Sequence, residues 1–538
     1  MNNFAFVTHF AEIFFGCCIL IQFLFYAWLN NFVRGNYAVL LQEICNQIYF
    51  ILWAVLFIYF HTEIESFAFT AIIVNDSGTR VLKIFLILVS IYVLAILKIS
   101  FFLQKLTFLE FFSLFLISIL SSVLLLNAND LILIFLLIEM QAMSFYILAC
   151  FKVDSIESAE SGLKYVLTGA FISGIYLFGS SLIYGIFGTV NLMHLNILLL
   201  PNGDSIYYWN YFFKFLIFMG FFFVLVGMLF KLNCAPFHFW APDVYDNSPL
   251  SVTVIFTVVP KIALQFLFIK YVPLLSLLIE LFKPLLLFCG LLSIGIGVFF
   301  ALKQKRLKLL VIFSSISQVG FLILILSDIT HTGLVYSLFF LFIYILTSLL
   351  IWFIIIMNYL STFTIININE LSKNKWSIKQ PELEKQKDND TIVKVLVYYI
   401  TNLKNYFFNN KLQIIAFLFI FFSFAGIPPF AGFISKIYIV LQFVFTTKWL
   451  IAFYLIVCSA LATYYYIRVI KISTFEAKLL QLATIFEIIQ IQMENNSIKT
   501  ILYFNFIIFF ILLFIFFEPK YLLYLCEYII CHLNTLNF

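Results

Sequence analysis

Long apolar runs, each close to the length of a membrane-crossing helix, follow one another along the chain of 538 residues. The hydrocarbon core of a bilayer takes about 20 apolar residues per helical span. Runs of this kind lie near residues 9–30, 44–60, 82–103, 107–126, 129–151, 163–188, 209–232, 249–272, 274–301, 307–328, 331–359, 411–442, 447–470 and 498–518. The pattern predicts an all-α polytopic membrane protein with about 14 transmembrane helices.

These runs lack the alternation of polar and apolar residues that a membrane-spanning strand requires. The run from Leu114 to Leu126, for example, is apolar apart from small serines, so helices and not a barrel satisfy the backbone in lipid. The amino end, MNNFAFVTHF, has no basic region before its first apolar run and no small-residue cleavage site. We expect it to be retained as a first helix and not removed as a signal peptide.

Composition and charge agree with lipid as the solvent. Hydrophobic residues make up 64% of the chain and charged residues 11%, against roughly half and a quarter in soluble domains. If the helices alternate across the membrane, one set of loops collects most basic residues, which puts that set inside and both termini outside. The inner set is Arg34, Lys105, Lys152, Lys164, Lys303, Lys305, Arg306, Lys308, Arg468, Lys471 and Lys478, and the outer set is Arg80, Lys83, Lys214, Lys270 and Lys448. The net charge of +5 follows from this asymmetry and needs no nucleic-acid partner.

Residues 361–408 interrupt the apolar pattern with a polar, highly charged stretch, NELSKNKWSIKQPELEKQKDNDT. Its lysines fall on the predicted inner side, and it is too polar to build a core of its own. We expect an inserted, solvated loop. The alternative is a docking surface for a neighbouring subunit.

Four ionisable residues inside predicted spans are selected as candidates: Glu139, Lys231, Lys261 and Lys436. A charge at the centre of a span costs about 2.5 to 3.5 kcal/mol on insertion scales, so each is a candidate functional residue. The alternative for any one of them is a side chain near a helix end that reaches the interface. Because the chain has four such residues, a position at the interface is a weak explanation for all of them together.

Prolines stand beside two of these lysines. Pro236 follows Lys231, whereas Pro428 and Pro429 precede Lys436. Because proline removes a helix donor and clashes with the preceding turn, both helices are predicted to be interrupted. The opposite order of proline and lysine is typical of inverted-topology repeats, whose broken helices line ion sites in transporters. A packing kink is the alternative for either position.

The residue types suit proton movement. Burial disfavours the charged form of lysine, and a nearby carboxylate favours it. Glu139 next to Lys231 would hold that lysine protonated, separating the pair would push the proton onward, and Lys261 could accept it. Such groups titrate as a set. We expect water in the helix breaks, with His238 and nearby serines and tyrosines, to bridge the remaining gaps.

The chain contains no sequence motif for redox chemistry or nucleotide binding. The nine cysteines are scattered without a CxxC pair, which argues against a zinc site or an iron–sulfur cluster. No phosphate loop, dinucleotide fingerprint or nucleophile elbow occurs. We therefore expect no cofactor and no metal in this chain.

Several stretches around these residues resemble one family. They are EMQAMSFYILACFKVDSIESAESGLKYVLTGAFISGIYLFG (139–179), FKLNCAPFHFWAPDVYDNSPLSVTVIFTVVPKIA (230–263), KRLKLLVIFSSISQVGF (305–321) and AGIPPFAGFISKIYIV (425–440). They resemble subunit 2 of respiratory NADH:ubiquinone oxidoreductase (complex I), the mitochondrially encoded type, and its bacterial counterpart, the antiporter-like subunit N. Order and spacing agree over about residues 105–475. The insert, the first hundred residues and the tail after 475 depart from the family pattern.

The resemblance implies an antiporter-like fold with two inverted five-helix repeats, each with a broken helix, in the membrane arm of the complex. It divides the chain into N-terminal transmembrane helices, a first repeat, the start of a second repeat, a charged matrix-side insert, the end of the second repeat with its broken helix, and a C-terminal segment with the last transmembrane helix. The respective ranges are 1–104, 105–272, 273–360, 361–408, 409–475 and 476–538.

By residue matching, Glu139 corresponds to the family's acidic residue paired with a broken-helix lysine, and Lys231 to that lysine. Lys261 corresponds to the central lysine and Lys436 to the lysine of the second broken helix. The implied function is proton translocation across the mitochondrial inner membrane, as a subunit of the proton-translocating NADH:ubiquinone reductase. NADH, FMN, iron–sulfur clusters and ubiquinone would be bound by other subunits.

The implied partners are neighbouring antiporter-like subunits, accessory subunits and lipids such as cardiolipin. The plastid homologue shares these motifs, so the choice of organelle rests on closeness of pattern. Two other functions remain open: a subunit of an Mrp-type cation/proton antiporter, against which the stretch FHFWAPDVY argues, and a structural membrane scaffold whose charges hold helices together.

Overall fold

The computed structural model describes most of the chain as helices joined by short connections. The described residues are 9–32, 37–62, 66–68, 72–104, 110–152, 155–199, 211–275, 279–328, 330–373, 411–474 and 496–535.

Three helices and a hairpin form the N-terminal part. The hairpin pairs two antiparallel strands with Phe67 opposite Val74. Asn129, far along the chain, donates its backbone N–H to Ile72 O at 2.9 Å, which ties the hairpin to the next part of the fold. The elements are α1 (Phe10–Phe32), α2 (Tyr37–His61), β1 (Ser66–Ala68), β2 (Ile73–Asn75) and α3 (Ser77–Gln104).

The first half of the core follows as a series of five long helices, of which the fourth is interrupted. Two short helices accompany it. The elements are α4 (Glu110–Asn127), α5 (Leu131–Ala149), α6 (Ile156–Phe187), α7 (Leu192–Leu199), α8 (Tyr211–Lys231), α9 (Trp240–Asn247) and α10 (Leu250–Leu275). The interruption lies between α8 and α9.

The second half repeats this series, and its fourth member is again interrupted. The elements are α11 (Ile279–Lys303), α12 (Leu307–Leu326), α13 (His331–Lys373), α14 (Lys411–Ala425), α15 (Ala431–Phe445) and α16 (Trp449–Thr474). The break lies between α14 and α15, so both predicted helix interruptions are confirmed. Helix α13 ends at Lys373, inside the insert predicted for 361–408, because a helix once formed propagates cheaply. The rest of the insert lies outside the described residues.

Two helices close the described chain. They are α17 (Asn496–Phe517) and α18 (Pro519–Thr535), and the apolar parts of the two meet at an angle of 93°. Helix α18 crosses the start of α3 so closely that a Cβ at Gly78 would lie 2.7 Å from the backbone oxygen of Ile529. Only a residue without a side chain fits there.

The number of spans differs from the prediction. Among the described residues, 12 helices are long and apolar enough to cross a membrane, or up to 13 if the bent pair α17–α18 is one span. The predicted count of about 14 is therefore not confirmed. The apolar pattern predicts one helix over 411–442, but this run is divided between α14 and α15. Their apolar parts, Ile415–Ala425 and Ala431–Phe445, are each too short to span the membrane.

Burial distinguishes central helices from peripheral ones. Helices α10, α12 and α13 are 94% buried over their apolar windows, whereas α1, α6 and α16 are 33% buried. The buried helices therefore form the centre, and the peripheral ones present apolar faces to their surroundings, as transmembrane helices do. The central helices carry two of the groups that form the site described next.

Candidate functional site

The first half of the site is an acid–lysine pair. Glu139 lies on α5, and Lys231 is the last residue of α8. Lys231 Nζ lies 3.9 Å from Glu139 Oε1, with side chains 8% and 18% exposed. The predicted proximity of these two residues is thus present. The distance exceeds that of a charge-assisted hydrogen bond, so the two side chains are close but not hydrogen-bonded to each other.

The end of α8 explains how Lys231 reaches its position. The backbone turns back on itself through Asn233, whose φ is 63°, and Cys234 N–H donates to Leu229 O at 3.0 Å. Trp240, which begins α9, stacks on Phe230 and donates its indole N–H to the backbone oxygen of that residue. Pro236 lies inside this irregular segment, where no helical hydrogen bond is lost.

Two small cavities touch Lys231. One, of about 10 Å³, is lined by Glu139, Ser173 and Tyr176 among others. The second, of about 20 Å³, is lined by Gln141, Pro260 and other residues, and Pro260 is next to Lys261 in sequence. The second is large enough for about one water molecule. Lys231 Nζ, Glu139 Oε1 and Gln141 Nε2 have no hydrogen-bond partner within the described part of the chain, so the cavities border groups that can bind water.

Lys261 lies on α10 at the centre of the protein and is 3% exposed. Its Nζ donates a hydrogen bond to the hydroxyl oxygen of Tyr344 on α13 at 2.7 Å. Gln265, one helical turn further, also has a buried side chain, and neither of its amide atoms has a partner among the described residues. Lys261 is therefore a buried amine whose described side-chain partner is a phenol.

Tyr344 connects the centre to the second helix break. Its ring lies 6.3 Å from that of Phe424 in an edge-on arrangement, and Phe424 lies 5.9 Å from Tyr466 on α16. Both distances are within the range of aromatic pairing. Tyr344 could not be selected from sequence, because it is 83 positions from Lys261.

Lys436 is held by backbone oxygens. It lies on α15 and is 8% exposed. Its Nζ donates to Phe424 O and Ala425 O, both at 2.9 Å. These carbonyls end α14, where the last turn leaves oxygens without helical partners and with partial negative charge. A lysine ammonium at this position satisfies them.

Gly426 makes this arrangement possible. Its φ is 77°, and a Cβ there would lie 2.8 Å from Lys436 Cδ and 3.0 Å from Lys436 Nζ. The position thus requires both the left-handed backbone and the space of a glycine. Pro428 and Pro429 follow in the segment between the two helices.

The structure does not bring every predicted site residue into contact with the others. His238 is buried beside Phe239, with ring centroids 4.6 Å apart. Its Nδ1 has no partner among the described residues, and no contact links it to Lys231 or Lys261 there. Its supporting role stays a prediction.

One buried group escaped the sequence analysis. Lys83, assigned above to an outer loop, is 3% exposed and forms an ion pair with Glu12, Nζ to Oε1 2.5 Å. That assignment was wrong because Lys83 lies inside α3, six residues after Ser77 begins it. The signal was present in the chain: Glu12 stands inside the first apolar run.

Comparisons with known proteins agree with this architecture. Residues 128–378, which contain Glu139, Lys231 and Lys261, match the family described as NADH:quinone oxidoreductase/Mrp antiporter, transmembrane. A chain in the structure of respiratory complex I from Thermus thermophilus superposes with a TM-score of 0.66 over 95% of this chain and 98% of that one, at 21% identity. The fold is therefore that of the antiporter-like membrane subunits.

Curated relatives narrow the class. NADH-quinone oxidoreductase subunit N of Pelagibacter ubique is 32% identical over 407 residues, covering 75% of this chain and 77% of the relative. NADH-ubiquinone oxidoreductase chain 2 of Marchantia polymorpha is 33% identical over 404 residues, covering 75% of each. The chain belongs to the family of NADH-quinone oxidoreductase subunit N and NADH-ubiquinone oxidoreductase chain 2.

Proposed function

We propose that this chain is a proton-translocating subunit of the membrane arm of NADH:ubiquinone oxidoreductase. The observation that carries the proposal is a set of three buried lysines, Lys231, Lys261 and Lys436, two of which stand at helix breaks. Glu139 lies 3.9 Å from the first of them. Ionisable residues inside spans are costly and mark ion paths, and broken helices in matching positions of two halves mark transport sites.

The proton path begins at the acid–lysine pair. A carboxylate close to an ammonium favours its charged form, and moving the two apart favours release of the proton. Because Lys231 and Glu139 make no tight hydrogen bond, a small shift of α5 relative to α8 changes their separation. The cavity lined by Lys231 and Pro260 borders the residue that precedes Lys261 in the sequence, and one water there would be the first step of a bridge between the two lysines.

The second step crosses the centre of the protein. Lys261 hands its proton to the Tyr344 hydroxyl, to which it is already hydrogen-bonded, while that hydroxyl releases its own proton on the far side. We expect water to take that proton past the Phe424 ring, which cannot carry it, to Lys436 in its neutral amine form. Its carbonyl partners stabilise the charged form that results.

The energy for this cycle comes from quinone reduction in other subunits. NADH, FMN, iron–sulfur clusters and ubiquinone are bound elsewhere in the complex, and this chain does no redox chemistry itself. Exposed apolar faces, such as that of α16 with Trp449 and Leu450, fit neighbouring antiporter-like subunits, accessory subunits or lipids such as cardiolipin. The proposed location is the mitochondrial inner membrane, as a multi-pass protein.

A second function is favoured by one observation. The matching family includes Mrp antiporters as well as NADH:quinone oxidoreductase, so the alternative is a subunit of a cation/proton antiporter. The relatives named subunit N and chain 2, which are 32% and 33% identical over 75% of this chain, support the oxidoreductase.

Native gel separation of detergent-solubilised membranes tests the assignment. NADH oxidation is stained in the gel, and the active band is analysed by mass spectrometry. We expect this chain in a large NADH-oxidising band. Its presence only in a small complex without that activity would contradict the assignment and favour the antiporter.

Lys231→Met tests translocation within the assembled complex. The variant removes the charge and keeps a long apolar side chain, so the fold is preserved. We expect a normal amount of complex with proton uptake into sealed vesicles reduced at least about fivefold, equivalent to about 1 kcal/mol. Loss of assembly without a separable pumping defect would instead support the scaffold function.

A further inference from the structure

A lysine outside the proposed relay is buried at the junction between α9 and α10. Lys308, counted above among the basic residues of the inner loops, is the second residue of α12 and is 1% exposed. Its Nζ donates to Asp246 O at 2.8 Å and to Ser248 O at 2.7 Å. Asp246 lies in the last turn of α9, and Ser248 is two residues before Leu250 begins α10. One ammonium therefore holds both the end of α9 and the segment that leads into α10.

Two backbone oxygens stabilise the buried charge of Lys308, because the end of a helix leaves carbonyls without helical partners and with partial negative charge. The Asp246 carboxylate also pairs with Arg306 Nη1 at 2.9 Å. The Arg306 side chain is 49% exposed, and exposed ion pairs contribute little. The buried lysine is therefore the stronger of these two ties between α12 and the end of α9.

Helix α9 forms one wall of the cavity beside Lys231. Trp240 and Tyr245, both on α9, line the cavity of about 20 Å³ that Lys231 borders. The Trp240 indole N–H donates to Phe230 O at 3.3 Å, and the Tyr245 hydroxyl accepts a hydrogen bond from Asn233 Nδ2 at 2.8 Å. The position of α9 thus determines both the cavity wall and the backbone on either side of Lys231.

Helix α10 forms another wall of the same cavity. Phe256, Pro260 and Leu264 line it, and Pro260 precedes Lys261 in the sequence. Because about one water molecule fits, a displacement of α9 against α10 by about 1.4 Å, the radius of water, would close the cavity or admit more water. The separation of the two helices therefore determines whether a single water is held beside Lys231.

We propose that Lys308 is a positioning residue for the water bridge between Lys231 and Lys261. This inference rests on the proposed function. The Lys308 ammonium holds the end of α9 and the start of α10 at the separation that keeps the cavity at the size of one water. Lys308 itself neither takes up nor releases a proton in this step. A helix of the second half, α12, thereby fixes the geometry of the first proton step.

Lys308→Met tests the proposal in the assembled complex, reconstituted into sealed vesicles with an internal pH dye. Methionine keeps a long side chain and removes the donors to both carbonyls. At equal amounts of assembled complex, we expect the ratio of protons taken up to NADH oxidised to fall at least about threefold. A purely structural lysine would change the amount of complex and not this ratio, so a wild-type ratio would overturn the proposal. Lys305→Met, at an exposed position of the same basic segment, is the matched control.

Trp240→Phe tests whether Lys308 acts through α9. The change removes the hydrogen bond to Phe230 O and keeps an aromatic ring, so we expect assembly with a lowered ratio. If both residues act through the position of α9, the double variant Lys308→Met with Trp240→Phe is no worse than the more affected single variant. Fold-changes that multiply would overturn the proposal. Trp449→Phe, at an exposed position, is the control.

Lys308→Gln replaces Lys308→Met if the methionine variant does not assemble. The shorter amide can still donate to one carbonyl, which preserves part of the tie. The expected fall in the ratio, the comparison with Trp240→Phe and the contradicting outcomes are the same.

Lys231→Met separates this inference from the proposed function. If Lys231→Met lowers the ratio of protons to NADH while the Lys308 and Trp240 variants leave it unchanged, only the positioning role is wrong. If Lys231→Met itself leaves the ratio unchanged in the assembled complex, the proposed function fails.

Discussion

Lys261 and Tyr344 are joined by a hydrogen bond of 2.7 Å between the ammonium Nζ and the phenol oxygen. The contact links α10 of the first half to α13 of the second half. Lys261 is a centrally placed amine, and this hydroxyl is its described side-chain partner. The phenol both accepts a hydrogen bond and carries a proton of its own.

Tyr344→Phe is expected to reduce proton uptake while the complex still assembles. The change removes one hydroxyl and leaves the Lys261 amine without that partner, at a cost of about 1–3 kcal/mol for a buried unsatisfied group. Proton uptake into sealed vesicles should fall about tenfold. The control is Tyr454→Phe, which removes a hydroxyl that donates to the backbone oxygen of Leu291 at 3.0 Å. Equal effects of both changes would contradict a special role for Tyr344.

Glu139→Gln is expected to lower proton uptake at least about fivefold. The amide is similar in size, but it provides no negative charge near Lys231, so the lysine is no longer held in its charged form. The measurement is the ratio of protons taken up to NADH oxidised, at equal amounts of assembled complex. Glu160→Gln is the control, because Glu160 pairs with Lys164 at an exposed position where ion pairs contribute little. Wild-type uptake in Glu139→Gln would contradict the proposed path.

Gly426→Ala is expected to destabilise the second helix break. The left-handed backbone costs an alanine about 1–2 kcal/mol, and the new methyl group would displace Lys436 from the carbonyls that it binds. We expect less assembled complex on a native gel, together with lower proton uptake per complex. Gly174→Ala is the control, since a Cβ there meets nothing within 4 Å. A normal amount of complex with normal proton uptake in Gly426→Ala would contradict this prediction, because it would show that the helix break tolerates a side chain.

The helix breaks were predictable, because proline acts locally on its own helix. The sequence also identified Glu139, Lys231, Lys261 and Lys436 as ionisable residues inside apolar runs, since a charge in such a run is visible without a structure. The lysine side chains are at most 8% exposed and that of Glu139 is 18% exposed. Tyr344 and the carbonyls of Phe424 and Ala425 were not predictable, because they depend on helix packing between distant segments.

Lys83 was misplaced for a different reason. A lysine near the end of a span is predicted to lie in a loop unless its partner is known. The partner of Lys83, Glu12, is 71 positions away in the sequence. The same limit affected the number of spans, since two short helices at a break look like one continuous apolar run. The orientation with both termini outside stays a prediction.

A comparison of side chains between related proteins does not identify the groups that stabilise the charge of Lys436. The oxygens of Phe424 and Ala425 belong to the backbone, so any residue at these two positions supplies the same acceptors. These acceptors move with the helix end that carries them, so a shift of α14 against α15 changes how well the charged form of Lys436 is stabilised. In this half of the protein, helix movement and charge stability are coupled.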